Sequence, residues 1–172
     1  MEEINKWVIC LGGNHKQIPY INEIKEMGYS IILFDKNKNA PAISFSNIFH
    51  KVGYDQIDKL IFYLDKYKKE LKNIHYIFSA SSQFSQLAVS ILSKLISVDY
   101  VSPKNVELCL NKRKFYKLFE KLYLPLPYTK FIDSQDSLNS FFIENANSQD
   151  WYLKSDFGKS PNYIYKINKE NY

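Results

Sequence analysis

Over the first hundred residues the hydrophobic positions alternate between two kinds of pattern. Trp7-Val8-Ile9-Cys10-Leu11, Ser30-Ile31-Ile32-Leu33-Phe34 and Ile74-His75-Tyr76-Ile77-Phe78 are nearly continuous apolar runs. Such runs suit strands buried on both faces of a parallel sheet. Between them, apolar residues recur at helical spacing: Ile18, Ile21, Ile24 and Met27, closed by Gly28, and then Ile57, Leu60, Ile61, Leu64 and Leu71 with lysines opposite. Phe84, Leu87, Ala88, Ile91, Leu92 and Leu95 keep the i, i+3, i+4 rule without a break. Shorter stretches at Phe49–Val52 and Val98–Val101 predict two further short strands. The alternation of strand and helix predicts an α/β unit, a parallel sheet with helices on both faces.

The pattern changes after Ser102-Pro103. Two helical segments follow in succession, the second carrying Phe115, Leu118, Phe119 and Leu122 on one face and ending at Pro125 and Pro127. A strand (Tyr128–Ile132), a helix capped near Ser134 and bearing Leu138, Phe141 and Phe142, a strand (Trp151–Lys154), a turn-rich loop and a last strand (Tyr163–Ile167) complete the chain. This reads as a small α+β subdomain, with residues 1–102 and 103–172 as separate domains.

Composition narrows the function. The 172 residues are 45% hydrophobic and 16% aromatic, which excludes low-hydrophobicity disorder. No apolar run approaches the ~20 residues of a membrane-spanning helix, and the first residues lack a signal peptide's apolar stretch, so no membrane partner and a cytoplasmic location are expected. Cys10 and Cys109 are too few for a disulfide framework, and His15, His50 and His75 match no metal-ligand spacing. The net charge of +5 lies in one segment: residues 104–130 hold seven Lys/Arg against Glu107 and Glu120. Nucleic acid ranks last as a partner, because Arg113 is the only arginine and arginine is the commonest reader of guanine. An anionic small ligand fits at least as well, most of the lysines being a solvated helix face. The aromatic surplus leaves room for a homodimer patch.

Two groups of residues could carry chemistry in the first domain. Gly12, Gly13 and Asn14 follow the first strand, where backbone amides can approach an anion at a helix start. Gly12-Gly13-Asn14-His15-Lys16-Gln17 is not a GxGxxG motif, so a tight strand-to-helix turn is the competing reading, and Asp35 closes the second strand where a dinucleotide fold keeps its ribose acid. Ser79, Ser81 and Ser82 could line a carboxylate or ribose pocket; helix capping by Ser81 or Ser82 explains them equally well.

In the second domain, Asn111-Lys112-Arg113-Lys114 followed by a helix and Leu124-Pro125-Leu126-Pro127 resembles the entry into an ATP-grasp domain, with Asn111 at a usual acid and Tyr123 at a usual glycine. Trp151-Tyr152-Leu153-Lys154 and the loop after it resemble that family's lysine strand and phosphate-covering loop, with Ser155 where proline is usual and Gly158 as the single glycine. The order of elements also matches, so the resemblance spans nearly the whole chain. It implies a Rossmann-like pre-ATP-grasp domain followed by the lid-bearing start of an ATP-grasp domain, as in carbamoyl-phosphate synthase and biotin carboxylase.

By that resemblance the intact protein would be a ligase that activates a small carboxylate as an acyl phosphate with ATP and Mg2+, for attack by an amine or thiol. Lys112 and Lys154 would meet the phosphates, and Ser155, Gly158, Lys159 and Ser160 would belong to the lid. Gly12, Gly13, Asn14, Ser79, Ser81 and Ser82 would face the substrate. The family's magnesium ligands and catalytic groups lie downstream of residue 172, so none is assigned here. A sheet cut at its lid hairpin would expose edges. The expectation is a truncated piece of a ligase, inactive and binding ATP weakly or not at all by itself. The alternative is a non-catalytic Rossmann-like nucleotide or small-molecule binding module.

Overall fold

The computed structural model describes residues 6–71, 73–145, 150–157 and 164–168. The chain divides into two units, Met1–Val106 and Glu107–Tyr172.

In the first unit, β1 (Lys6–Leu11), β2 (Tyr29–Phe34), β3 (Ile48–His50) and β4 (Ile74–Phe78) form one parallel sheet in the order β3-β2-β1-β4. Three helices cover it: α1 (Ile18–Glu26), α2 (Ile57–Glu70) and α3 (Ser85–Leu95). Because successive side chains of a strand point to opposite faces, the apolar run of β1 divides in two. Trp7, Ile9 and Leu11 join Ile32, Phe34, Leu60, Leu64, Ala88, Val89 and Leu92 in one core cluster, whereas Val8 and Cys10 join Ile21, Ile31, Leu33 and Ala42 in another. Both faces of the sheet are therefore buried, which is why its central strands carry no polar alternation. Burial, with a smaller push from Asp35, raises the pKa of the Cys10 thiol far above the normal thiol range. It therefore packs as a small hydrophobe.

Three helix ends use the same device. Gly28 (φ 84°), Ser97 (φ 58°) and Tyr123 (φ 55°) each occupy the left-handed position just past a helix. After α3, Ser97 N–H donates to Lys94 O and Val98 N–H to Ser93 O, a paired closure that satisfies the last carbonyls. Residues 98–101, predicted as a strand, take another course. Ser90 Oγ donates to Val101 O, and the Tyr100 hydroxyl donates to Gln86 Oε1, so the segment is tied back to α3 instead of joining the sheet.

At the end of β3, His50 stacks on Phe34 and Tyr63 with ring centroids 5.2 and 4.0 Å apart, and its Nε2 meets the Tyr67 hydroxyl. Burial, and then the nearby Lys66, lower its pKa. The neutral ring can accept the Tyr67 proton, while protonation is easier in the unfolded chain. Stability should be level above the ordinary histidine value of about 6.5 and should fall as pH drops from there through the lowered folded value. Melting temperatures of His50→Gln, scanned across the same pH range, should show a shallower fall.

The second unit contains α4 (Pro103–Leu110, which spans the division), α5 (Lys112–Lys121), α6 (Gln135–Glu144) and an antiparallel pair, β5 (Trp151–Lys154) and β6 (Ile164–Ile167). Ser134 caps α6 by accepting from Ser137 N–H, as its sequence predicts. Residues 128–132, predicted as a strand, pair with no strand among the described residues. The start of the last predicted strand, Tyr163, lies outside the described residues.

Candidate functional site

The strongest candidate lies within the second unit. Asn111, nearly buried, opens α5 by accepting from Lys114 N–H at 2.9 Å. An asparagine N-cap serves as well as an aspartate in this role. The next two residues are joined to the chain just beyond β5, forty-three or forty-four positions away: Lys112 N–H donates to Asp156 O (2.9 Å), Lys112 Nζ donates to Ser155 O (2.9 Å) and Arg113 Nε donates to Asp156 Oδ2 (2.8 Å). These contacts fix the end of β5, and so Lys154, beside the start of α5.

The result is a cavity of about 280 Å³ lined by Lys112, Arg113, Lys130 and Lys154, with Tyr116, Tyr128, Phe131, Phe141 and Trp151 among its aromatic walls. Trp151 packs edge-on to Phe141 (4.7 Å) and against Tyr128 (5.7 Å), and its buried indole N–H has no hydrogen-bond partner. Its two carboxylates are already paired, Asp156 with Arg113 and Asp150 with Lys166 (3.0 Å). The hydrogen bond to Asp150 raises the Lys166 pKa. Cations and aromatic walls in one cavity suit a ligand with an anionic tail and a flat ring. Of the expected lid residues, Ser155 is placed here, whereas Gly158, Lys159 and Ser160 lie outside the described residues.

Tyr123 closes α5. Its N–H donates to Glu120 O, and Leu124 N–H donates to Phe119 O, the same paired closure as after α3. Its left-handed φ explains why glycine suits this position, and at 95% exposure its side chain packs on almost nothing. Tyr123→Gly should therefore stabilise the unit by about 0.5–1 kcal/mol, the relief of a strained φ less the greater freedom of unfolded glycine. Equilibrium urea unfolding should show a higher midpoint at unchanged slope.

In the first unit, the expected substrate residues stand together at the carboxyl ends of β1 and β4, where open α/β sheets bind ligands. Their polar groups are engaged with one another. Ser79 Oγ donates to Leu11 O, Asn14 Nδ2 donates to Ser81 Oγ (2.9 Å), and Ser82 Oγ accepts from Phe84 N–H just before α3. Gly13 N–H donates to Asp35 Oδ2, whose second oxygen accepts from Asn37 N–H. The organiser is Gln17, which the sequence reading passed over. It is fully buried, donates to Leu11 O and Ser79 Oγ, and accepts from Ala80 N–H. A glutamine between two glycines and the apolar face of α1 was its only sequence signal.

A parallel αβ unit followed by helices and a lysine-bearing hairpin is a fold that recurs in solved structures of synthetases and of a biotin carboxylase domain. Over 99% of its length the chain matches N5-carboxyaminoimidazole ribonucleotide synthetase, solved as an ADP complex, with a TM-score of 0.74 and 16% identity. The Staphylococcus aureus N5-carboxyaminoimidazole synthetase complexed with ADP gives 0.68 at 13% identity, again over 99% of this chain. Phosphoribosylglycinamide synthetase from Anaerococcus prevotii gives 0.66 at 16% identity over 97%. The chain spans 44%, 44% and 40% of those three structures. No family model matches the sequence, and no curated protein matches it. Among the described residues no helix is long and apolar enough to cross a membrane.

Proposed function

We propose that the chain is the phosphate-holding front part of an ATP-dependent ligase that joins a carboxylate to an amine or thiol. The observation that carries this reading is that Lys112 and Lys154, forty-two positions apart, line one cavity whose hairpin is tied to α5. The ADP complexes among structures of the same fold support it.

In this reading a carboxylate oxygen attacks the γ-phosphorus, ADP leaves, and the acyl phosphate is attacked at carbon by the amine or thiol, releasing phosphate. The ammonium groups of Lys112 and Lys154 offset charge on the phosphate oxygens, work that a fixed cation in a partly dry site does better than water. The aromatic walls take the base. Gly12, Gly13, Asn14, Ser79, Ser81 and Ser82 serve the carboxylate substrate. Magnesium does not fit the residues described: no three His, Cys, Asp or Glu side chains cluster to hold a cation, and the cavity's two carboxylates are in ion pairs.

Titration with ADP, followed by NMR so that weak binding is seen, tests the reading. Resonances of cavity residues should shift, and Lys154→Ala should abolish the shift. Binding of NAD without any binding of ADP would instead favour a non-catalytic module.

A further inference from the structure

We infer that Arg113, beyond the two lysines, is a two-pronged reader of a phosphate or carboxylate, held in its working orientation by Phe131 and Asp156. The inference rests on the proposed function for the identity of the ligand and on the geometry of the second unit for everything else.

Three observations fix the guanidinium. Its carbon lies 4.9 Å from the centre of the Phe131 ring, so one face is covered. Its Nε donates to Asp156 Oδ2 at 2.8 Å, so one edge is taken. It lines the cavity, and among the described residues neither terminal nitrogen has a hydrogen-bond partner. What remains is the pair of terminal N–H groups, the fork that matches two oxygens of one phosphate or carboxylate. An arginine used only as a helix-surface cation needs neither a ring beneath it nor a carboxylate at its Nε. Each restraint removes rotamer freedom that an anion would otherwise have to remove on binding. Asp156 is a positioning residue: it meets Arg113, and its backbone carbonyl also holds Lys112 N–H. The Arg113–Asp156 pair is about one-third exposed on each side, which keeps the fork reachable.

The shared chemistry is a pair of anionic oxygens on one atom, whether of a nucleotide's phosphate or a substrate's carboxylate. Because Arg113 is the only arginine, its Nε–H gives a single, unambiguous signal in a 1H–15N spectrum. The chain would be titrated separately with tripolyphosphate, ADP and acetate. If the inference holds, tripolyphosphate or acetate shifts that signal, and the more effective of the two names the source. Arg113→Lys, which keeps the charge but not the fork, should weaken the effective anion at least about tenfold, as expected for loss of a bidentate contact. Asp156→Asn should weaken it several-fold and Asp156→Glu should restore part of the loss, with melting temperatures little changed, a pattern that a merely structural role would not give. An unmoved Nε–H at saturation, or Arg113→Lys binding like the wild type, would overturn the inference. If ADP binds in a Lys154-dependent way while Arg113 is indifferent, the ligase reading stands without it. If tripolyphosphate engages Arg113 but ADP binds no better and ignores Lys154, Arg113 stands and the nucleotide reading fails. Absence of any binding defeats both.

Discussion

On the proposed ligase reading, replacing Lys154 with alanine in the whole enzyme is expected to lower kcat/KM for ATP by about two to three orders of magnitude, the usual cost of removing one fixed donor from a site of developing anionic charge. Three features give the prediction its size. Lys154 ends a strand, so its backbone does not swing with a loop. The strand end is fastened to α5 through Ser155 and Asp156. The side chain is exposed, so alanine removes little packing, and thermal unfolding should barely change. Loss of turnover with intact stability separates a role in the site from a role in the fold. Lys94→Ala, which removes the same charge from an exposed face of α3, should leave turnover as it was. A Lys154→Ala protein that turns over ATP at a near-normal rate would refute the phosphate assignment outright.

Much of the fold was legible because its signals are local. The runs in β1 and β2 are apolar at every inward position on both faces, and α3 repeats its apolar spacing without a miss; neither pattern has another reasonable use. The two strands that the sequence suggested wrongly, at 98–101 and 128–132, are short stretches rich in β-branched and aromatic residues. Whether such a stretch becomes a strand depends on a neighbour offering an unpaired ladder, which composition does not encode. At 98–101 the side chains of Ser90 and Gln86 bind the segment to α3 instead.

The site divides along the same line. Lys112 and Lys154 could be picked out only through the family resemblance, which puts one lysine at a helix start and another at a strand end. Arg113 looked like one more cation on a basic helix. What distinguishes it comes from Phe131 and Asp156, eighteen and forty-three residues away, and no local pattern announces either. Gln17 was hidden for the same reason, since its partners, two backbone groups and the Ser79 hydroxyl, stand at two different strand ends. The departures Asn111 and Tyr123, by contrast, make sense once their positions are known, as an N-cap and a left-handed closing residue.

The glycines after β1 bear the largest expected effect on folding. Gly12 has φ 93°, beyond the small left-handed region that other residues tolerate, and a Cβ built there would lie 2.6 Å from Ser81 Cβ and 2.7 Å from Ser81 Oγ. Gly12→Ala should therefore cost about 2–5 kcal/mol, combining a left-handed penalty of about 1–2 with overpacking of about 1–3. That is a large share of the stability of an ordinary domain, about 5–15 kcal/mol. Gly28→Ala isolates the backbone part, since Gly28 has a similar φ of 84° with nothing within 4 Å of its would-be Cβ, and it should cost about 1–2 kcal/mol. Adding Ser81→Gly to Gly12→Ala isolates the steric part. The double variant should be more stable than the sum of its single losses predicts by about 1 kcal/mol or more, as for any two groups that collide. Strict additivity, read from denaturant midpoints, would mean that Gly12 is needed for its backbone alone. The close approach of β1's end to the Ser79–Ser82 turn would then not depend on the missing side chain.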